Sequence, residues 1–295
     1  MAKFRMNHSR QGKGNSGNVV RVGLLAALVA GLIFVYYLFS GGYFASTTTQ
    51  PAELSYLVPS GGEGEMVFHD TYVLSYVEAH ELAEWVAYRL SGPELRRPWL
   101  DRKDDFRPDP AVSTRSADPA DYKRSGYDRG HLLPVADRAY SRAAMNETFL
   151  MSNISPQDRK FNGGVWRELE ELVRDWAKNS SVLYVVTGPV LSMPAKERIG
   201  NNEVTVPSAY YKVVIDIEEP LLRGIGFVIP NALTDKPLET FAMPIDEVEA
   251  LTGLDFFAEF IPEDTEAEIE AEADPSRWPF SASKYKKRVE HWNKR

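Results

Sequence analysis

The chain has 295 residues, 43% apolar and 26% charged, with 34 Lys and Arg against 42 Asp and Glu for a net charge of −8. That balance supports a sizeable folded core and excludes intrinsic disorder and fibrous repeats as the main organisation. With no cysteine in the chain, disulfide frameworks, thiolate zinc sites, iron–sulfur clusters and cysteine nucleophiles are excluded together, while the compartment stays open.

Lys3, Arg5, Arg10, Lys13 and Arg21 open the chain with no acidic residue among them, and no charged residue follows until Glu53. Residues 22–39 read VGLLAALVAGLIFVYYLF, and the apolar character continues through Tyr43 and Phe44. One membrane crossing needs about 20 such residues. The basic flank then predicts a cytoplasmic tail at 1–21, a transmembrane anchor at 22–44 and everything later on the outer side. A cleaved signal peptide is the competing reading, disfavoured because no A-x-A-type pair follows the run.

A short linker, 45–53, leads into a soluble domain expected over 54–262. Residues 71–74 alternate like a strand, and residues 80–90, HELAEWVAYRL, place Leu82, Val86 and Leu90 at helical spacing. Residues 95–121 carry Pro98, Pro108, Pro110 and Pro119 and read as a long functional loop. A helix-like patch at 136–147, a segment at 149–154 and a strong helix at 165–178 follow. The β-branched runs at 182–187, 210–217 and 224–229 read as strands, and 245–251 as a short helix. Strands without βαβ alternation predict an α+β fold, an antiparallel sheet flanked by helices. Beyond it, 263–274 holds seven acids, and a basic, Trp-containing tail completes 263–295. A charge run of this kind reads as a solvated appendage, and without it the rest of the chain is nearly neutral.

Only five histidines are available for chemistry. His8 and His291 lie in the terminal segments and His69 stands alone before a strand. His80 begins like a zinc-peptidase helix, but Glu84 stands where the second histidine is required. His131 differs in its setting. Gly126 and Gly130 bracket Tyr127, Asp128 and Arg129, so a tight turn presents an imidazole two residues after a guanidinium. Phosphodiester hydrolysis asks for that combination, a neutral base beside a cation for the phosphate. Thirty-one residues later Asn162 opens a helix whose apolar stripe is Trp166, Leu169, Val173 and Trp176. Glu170 lies eight residues on, about 12 Å along a straight helix, which suggests that Asn162 binds an ion directly and Glu170 through water. An amide oxygen with waters suits Mg²⁺ far better than Zn²⁺. A helix cap for Asn162 and an ion pair between Glu170 and Arg174 are the plainer alternatives.

Taken together, SGYDRGHLLP at 125–134, FLMSNISPQ at 149–157, NGGVW at 162–166 and Leu169-Glu170 resemble the DNA/RNA non-specific endonuclease family, the ββα-metal nucleases of the endonuclease G type. The resemblance extends from about Leu54 to Phe260. It implies a ββα-metal catalytic motif with His131 as general base and Asn162 as the only direct protein ligand of Mg²⁺, Mn²⁺ being the alternative ion. It also implies that Glu170 orients a water on the ion and that Arg129 and Arg174 contact phosphate or stabilise the site. Asn153 and Gln157 match the polar supports of the base and cleft, and Asp128 reads as an ion-pairing anchor of the loop. For a further arginine before an aromatic, Arg102 with Phe106 is a better match than Arg97 with Trp99. Leu133 stands where the family frequently has Ala, and Gly163-Gly164 after Asn162 is expected to loosen the helix start. The implied activity is Mg²⁺-dependent endonucleolytic cleavage of DNA and RNA with weak sequence preference, leaving 5′-phosphate ends. Residues 95–142 contribute eleven Lys and Arg against eight Asp, a modest basic surplus for such a partner. A homodimer and a protein inhibitor are left open. The anchored topology suggests a periplasmic or extracellular nuclease domain, with the mitochondrial inner membrane facing the intermembrane space as the alternative. A catalytically inactive, membrane-anchored nucleic-acid-binding module of the same fold is the second function class.

Overall fold

The computed structural model describes residues 52–218 and 222–294. The expected cytoplasmic tail, the anchor at 22–44 and most of the linker lie outside these residues. Among the described residues no helix is long and apolar enough to cross a membrane.

Seven strands form one antiparallel sheet. They are β1 (Glu65–Phe68), β2 (Val73–Val77), β3 (Leu82–Ser91), β6 (Val182–Pro189), β9 (Ala209–Asp216), β10 (Arg223–Pro230) and β11 (Ala242–Met243), in that spatial order. Two separate hairpins pair β4 (Asp128–His131) with β5 (Ile154–Gln157) and β7 (Glu197–Ile199) with β8 (Val204–Val206). Alternation along each central strand feeds two cores. On β9, Tyr210 and Val214 face one layer while Tyr211, Val213 and Ile215 face the other. This is the expected α+β class, and the β-branched runs at β6, β9 and β10 fall where their composition placed them.

The predicted helix at 80–90 is instead β3, a central strand. Spacings of four and eight residues fit a helical face but are also even numbers, so period alone does not exclude a strand, and a bulge opposite Ser75 and Tyr76 turns Leu82 off the face that Val86 and Leu90 share. Trp85, Val86 and Tyr88 supply the bulky, β-favouring side chains that decide it. His80 accordingly sits in a 3₁₀ turn, its Nδ1 3.0 Å from Thr205 Oγ1. His69 is latched 2.9 Å from Asp109 Oδ2.

Helices cover both faces. In chain order they are α1 (Ala52–Ser55), α2 (Gly92–Leu95), α3 (Arg142–Glu147), α4 (Arg167–Asn179), α5 (Ile245–Thr252), α6 (Glu263–Glu270) and α7 (Ala282–Lys287). The last two correct the reading of 263–295 as a solvated appendage. Ile269 is buried in the second core and Trp278 in the first, its indole tilted against Trp176 with ring centroids 4.8 Å apart. Arg288 is fully buried and donates to Glu168 Oε2 at 2.5 Å and to the Lys236 carbonyl at 2.6 Å. Counting charge along the sequence hid the few apolar residues, Ile269, Trp278, Phe280 and Trp292, that anchor the segment. Replacing Trp278 with Ala should therefore cost about 3–5 kcal/mol of stability in denaturant unfolding, the range for a buried aromatic. A cost within about 0.5 kcal/mol, the range of surface substitutions, would return the tail to solvent.

Candidate active site

The site is built where the β4–β5 hairpin meets the start of α4. His131 ends β4 opposite Ile154, and Gly130 pairs with Ser155. Only a glycine fits at 130, since a Cβ there would lie 2.1 Å from the Gln157 side chain. Asn153, fully buried before β5, holds the chain after the histidine: its Oδ1 accepts from Leu133 N at 2.8 Å, and its Nδ2 donates to the carbonyls of Leu133 and Thr148. The expected support of the base thus acts through backbone.

The His131 ring lies against Phe106 and edge-on to Phe149, with centroids 5.4 and 5.2 Å away. Burial, with the Arg102 charge second, pushes the imidazole down to about 3, so the ring is neutral at physiological pH. Arg129 stacks over the other side of this aromatic group, 4.4 Å from the Phe106 centroid. Arg102 spans Phe149 at 5.5 Å and pairs with Asp104 at 2.6 Å. Arg102 lines the same cleft as His131, whereas Arg97 lies over Tyr140.

Residues Phe161–Trp166 form a π-helical turn with Gly164 in a non-helical conformation, and regular α-helix begins only at Arg167. The straight-helix distance between Asn162 and Glu170 therefore does not apply, and both line one cleft of about 550 Å³ with His131, Arg129, Arg102 and Arg174. Asn162 is not a helix cap. Its Nδ2 donates to Asp128 Oδ2 at 3.0 Å, which leaves the amide oxygen as the atom for a ligand. Asp128 also receives Arg159 Nε at 3.4 Å, so it anchors the hairpin to this turn.

Beneath the cleft lies a charged layer. Arg174 is buried and donates to Asp137 Oδ1 at 2.8 Å, so its partner is not Glu170. Lys212, on the Tyr210 face of β9, is buried with its Nζ 5.0 Å from the Trp166 ring, and burial pushes it down to about 8. Burial pushes Glu170 up to about 7 against the opposing pull of Arg174 and Lys212. A hard-oxygen pair, Asn162 and Glu170, thus faces a cleft rimmed by guanidinium groups, a donor set that fits Mg²⁺ or Mn²⁺.

Gln157 departs from its expected role: it is buried against Gly130, does not line the cleft and makes no side-chain hydrogen bond among the described residues. Sequence reasoning also missed Lys212, hidden as one polar residue in a strand, and Lys284, which reaches the cleft from α7 and bridges Glu171 and Asp175 at 3.3 and 3.1 Å. Asn293 from the tail sits against Gly164, where a Cβ would lie 2.7 Å from its Oδ1.

A ββα unit presenting one amide oxygen, a neutral imidazole and arginines to a shared cleft places the molecule among metal-dependent endonucleases. The profile of the DNA/RNA non-specific endonuclease family matches residues 50–260. Mitochondrial nuclease EXOG of Danio rerio is 35% identical over 216 residues, covering 68% of this chain and 62% of that protein. Mitochondrial endonuclease G of Homo sapiens is 36% identical over 209 residues, covering 66% and 70%, and a nuclease of Nostoc sp. is 34% identical over 224 residues, covering 71% and 78%. The solved structure of an EndoG/EndoGI complex superposes with a TM-score of 0.64 at 34% identity, over 70% of this chain and 91% of the other. The chain belongs to the DNA/RNA non-specific endonuclease family.

The buried ring makes a prediction about pH. Its folded-state value near 3 lies below the ordinary 6.5, so the unfolded chain takes up the proton first as pH falls. The ring's contribution to stability is full above 6.5 and is lost progressively toward 3. Denaturant unfolding of the metal-free chain should show a weaker loss over this window in His131→Gln than in wild type, and parallel curves would contradict the buried neutral ring.

Proposed function

We propose that this protein is a Mg²⁺-dependent, sugar-non-specific endonuclease that hydrolyses phosphodiester bonds of DNA and RNA and leaves 5′-phosphate ends. The observation that carries the reading is the convergence of His131, Arg129, Asn162, Glu170 and Arg174 on one cleft. Neutral His131 accepts the proton of the attacking water, and the hydroxide equivalent adds to phosphorus in line with the departing 3′ oxygen. Burial is the larger cause of the depressed imidazole, and a phosphate arriving near Arg102 offsets only the second, the Arg102 charge. The Asn162 oxygen, with Glu170 at one remove, would hold Mg²⁺, and the bound ion would supply Lewis-acid stabilisation of charge developing on phosphate. Arg129 and Arg102 share that compensation at the cleft rim. Arg174 holds Asp137 and acts as support for the layer under Glu170. Because these groups address phosphate rather than base edges, sequence preference is weak.

We further propose that the run at 22–44 anchors the domain to a membrane, supported by its uncharged length and basic flank. The outer side is periplasmic or extracellular space, or the mitochondrial intermembrane space, the latter favoured by the mitochondrial relatives in Danio rerio and Homo sapiens.

The test is cleavage of supercoiled plasmid and single-stranded RNA by the full-length chain with Mg²⁺ or EDTA. Wild type should consume both substrates only with Mg²⁺, and His131→Ala should be slower by about 10²–10⁴-fold, the usual worth of a positioned base. Equal inertness of both proteins with equal DNA binding would replace this reading with the anchored binding module.

A further inference from the structure

The acidic run has no part in the cleft, yet its helix converges with α5 on a second cluster of carboxylates. Ile245 and Ile269 both pack over Gly224 of β10, where a Cβ would lie 2.7 Å from Ile245 Cδ1 and 2.6 Å from Ile269 Cγ2. That close approach brings the residues next to them, Asp246 and Glu270, together above the strand. Glu249 stands one turn beyond Asp246 on the same helix. Carboxylate oxygens of Asp246, Glu249 and Glu270 all lie within 4.8 Å of one another.

Three acids brought together are common on protein surfaces, but this cluster reaches inward. Glu270 is only 4% exposed, and its Oε1 is buried without a hydrogen-bond partner among the described residues. Glu266, one turn earlier on α6, also has a buried, unpartnered Oε1. Glu249 Oε1 accepts from Phe256 N at 2.7 Å, a single contact. Four other acids, Glu249, Glu266, Asp246 and Asp255, act on the buried Glu270 carboxyl. A buried, unpartnered carboxylate oxygen among other acids is costly unless a cation or a proton meets it.

We propose that Asp246, Glu249 and Glu270 form a calcium-binding site that ties α5 to the helix of the acidic run, apart from the catalytic cleft. The donors are all carboxylate oxygens, which suit hard cations. Three protein carboxylates suit calcium, which takes about six to eight oxygens in a flexible shell, better than magnesium, which is usually held by one or two carboxylates and keeps its waters. Asp246, the exposed member, gives the ion its entry from solvent. The two helices the ion joins both pack on β10, so the site acts on the stability of this sheet edge rather than on cleavage.

The test titrates Ca²⁺ alone, by calorimetry, into EDTA-stripped full-length chain carrying Asn162→Ala, so that the catalytic ligand is absent. One Ca²⁺ should bind per chain and raise the thermal midpoint. Adding Glu270→Gln should abolish both effects while leaving a cooperative unfolding transition in EDTA. Asp246→Asn, at an exposed position, should weaken binding at least about tenfold, the loss expected for one charged ligand. The proposal is overturned if the Asn162→Ala chain binds no Ca²⁺ at millimolar concentration, or if Glu270→Gln or Asp246→Asn binds it with unchanged affinity. It is equally overturned if lowering the pH raises the midpoint while Ca²⁺ does not, since protons would then be what fills the cluster.

Discussion

The side-chain amide of Asn162 donates to Asp128, and this contact at 3.0 Å joins two pieces of chain that must be in register for the cleft to exist. One piece is the β4–β5 hairpin, which carries Arg129 and His131. The other is the π-helical turn before α4, which carries Asn162. The hydrogen bond also commits the amide nitrogen, which in the proposed function leaves the oxygen as the donor for a cation. Asp128 is thereby an orienting group, in keeping with its ion pair to Arg159.

Under that junction the sheet supplies a layer of charge that a small domain would not bury without compensation. Arg174 and Asp137 neutralise each other, Lys212 lies near the faces of Trp166 and Tyr88, and both cations act electrostatically on Glu170. Breaking one member of such a layer leaves another charge uncompensated, which is why these groups act together more than singly. The tail adds to the same end of the molecule, with Arg288 on Glu168 and Asn293 on Gly164 holding the first turns of α4. A kinked turn rich in glycine is thus braced from outside by residues beyond the matched family region.

Much of this was legible in the sequence. The β-branched runs at β6, β9 and β10, the glycine-bracketed histidine and the Asn162 motif carried their structure in local pattern. Other features depended on long-range geometry. Leu82, Val86 and Leu90 satisfied helical and strand periodicity at once, and only pairing with β2 and β6 resolves them. Lys212 gave no signal, because nothing in its sequence neighbours announces that α4 covers it. The acidic run and tail looked soluble because charge dominates their composition, while burial rests on Ile269, Trp278, Arg288 and Trp292. Gln157 kept its place in the motif, yet the hairpin turns it behind Gly130 and away from the cleft.

The central claim is that Asp128 orients the Asn162 oxygen as the ligand of the catalytic ion. The most direct measurement is the Mg²⁺ concentration for half-maximal cleavage in Asp128→Ala of the full-length chain. The account predicts a rise of about 10–100-fold, the usual effect of losing an outer-sphere support, with much of the maximal rate recovered at saturating Mg²⁺. An unchanged Mg²⁺ requirement would contradict it.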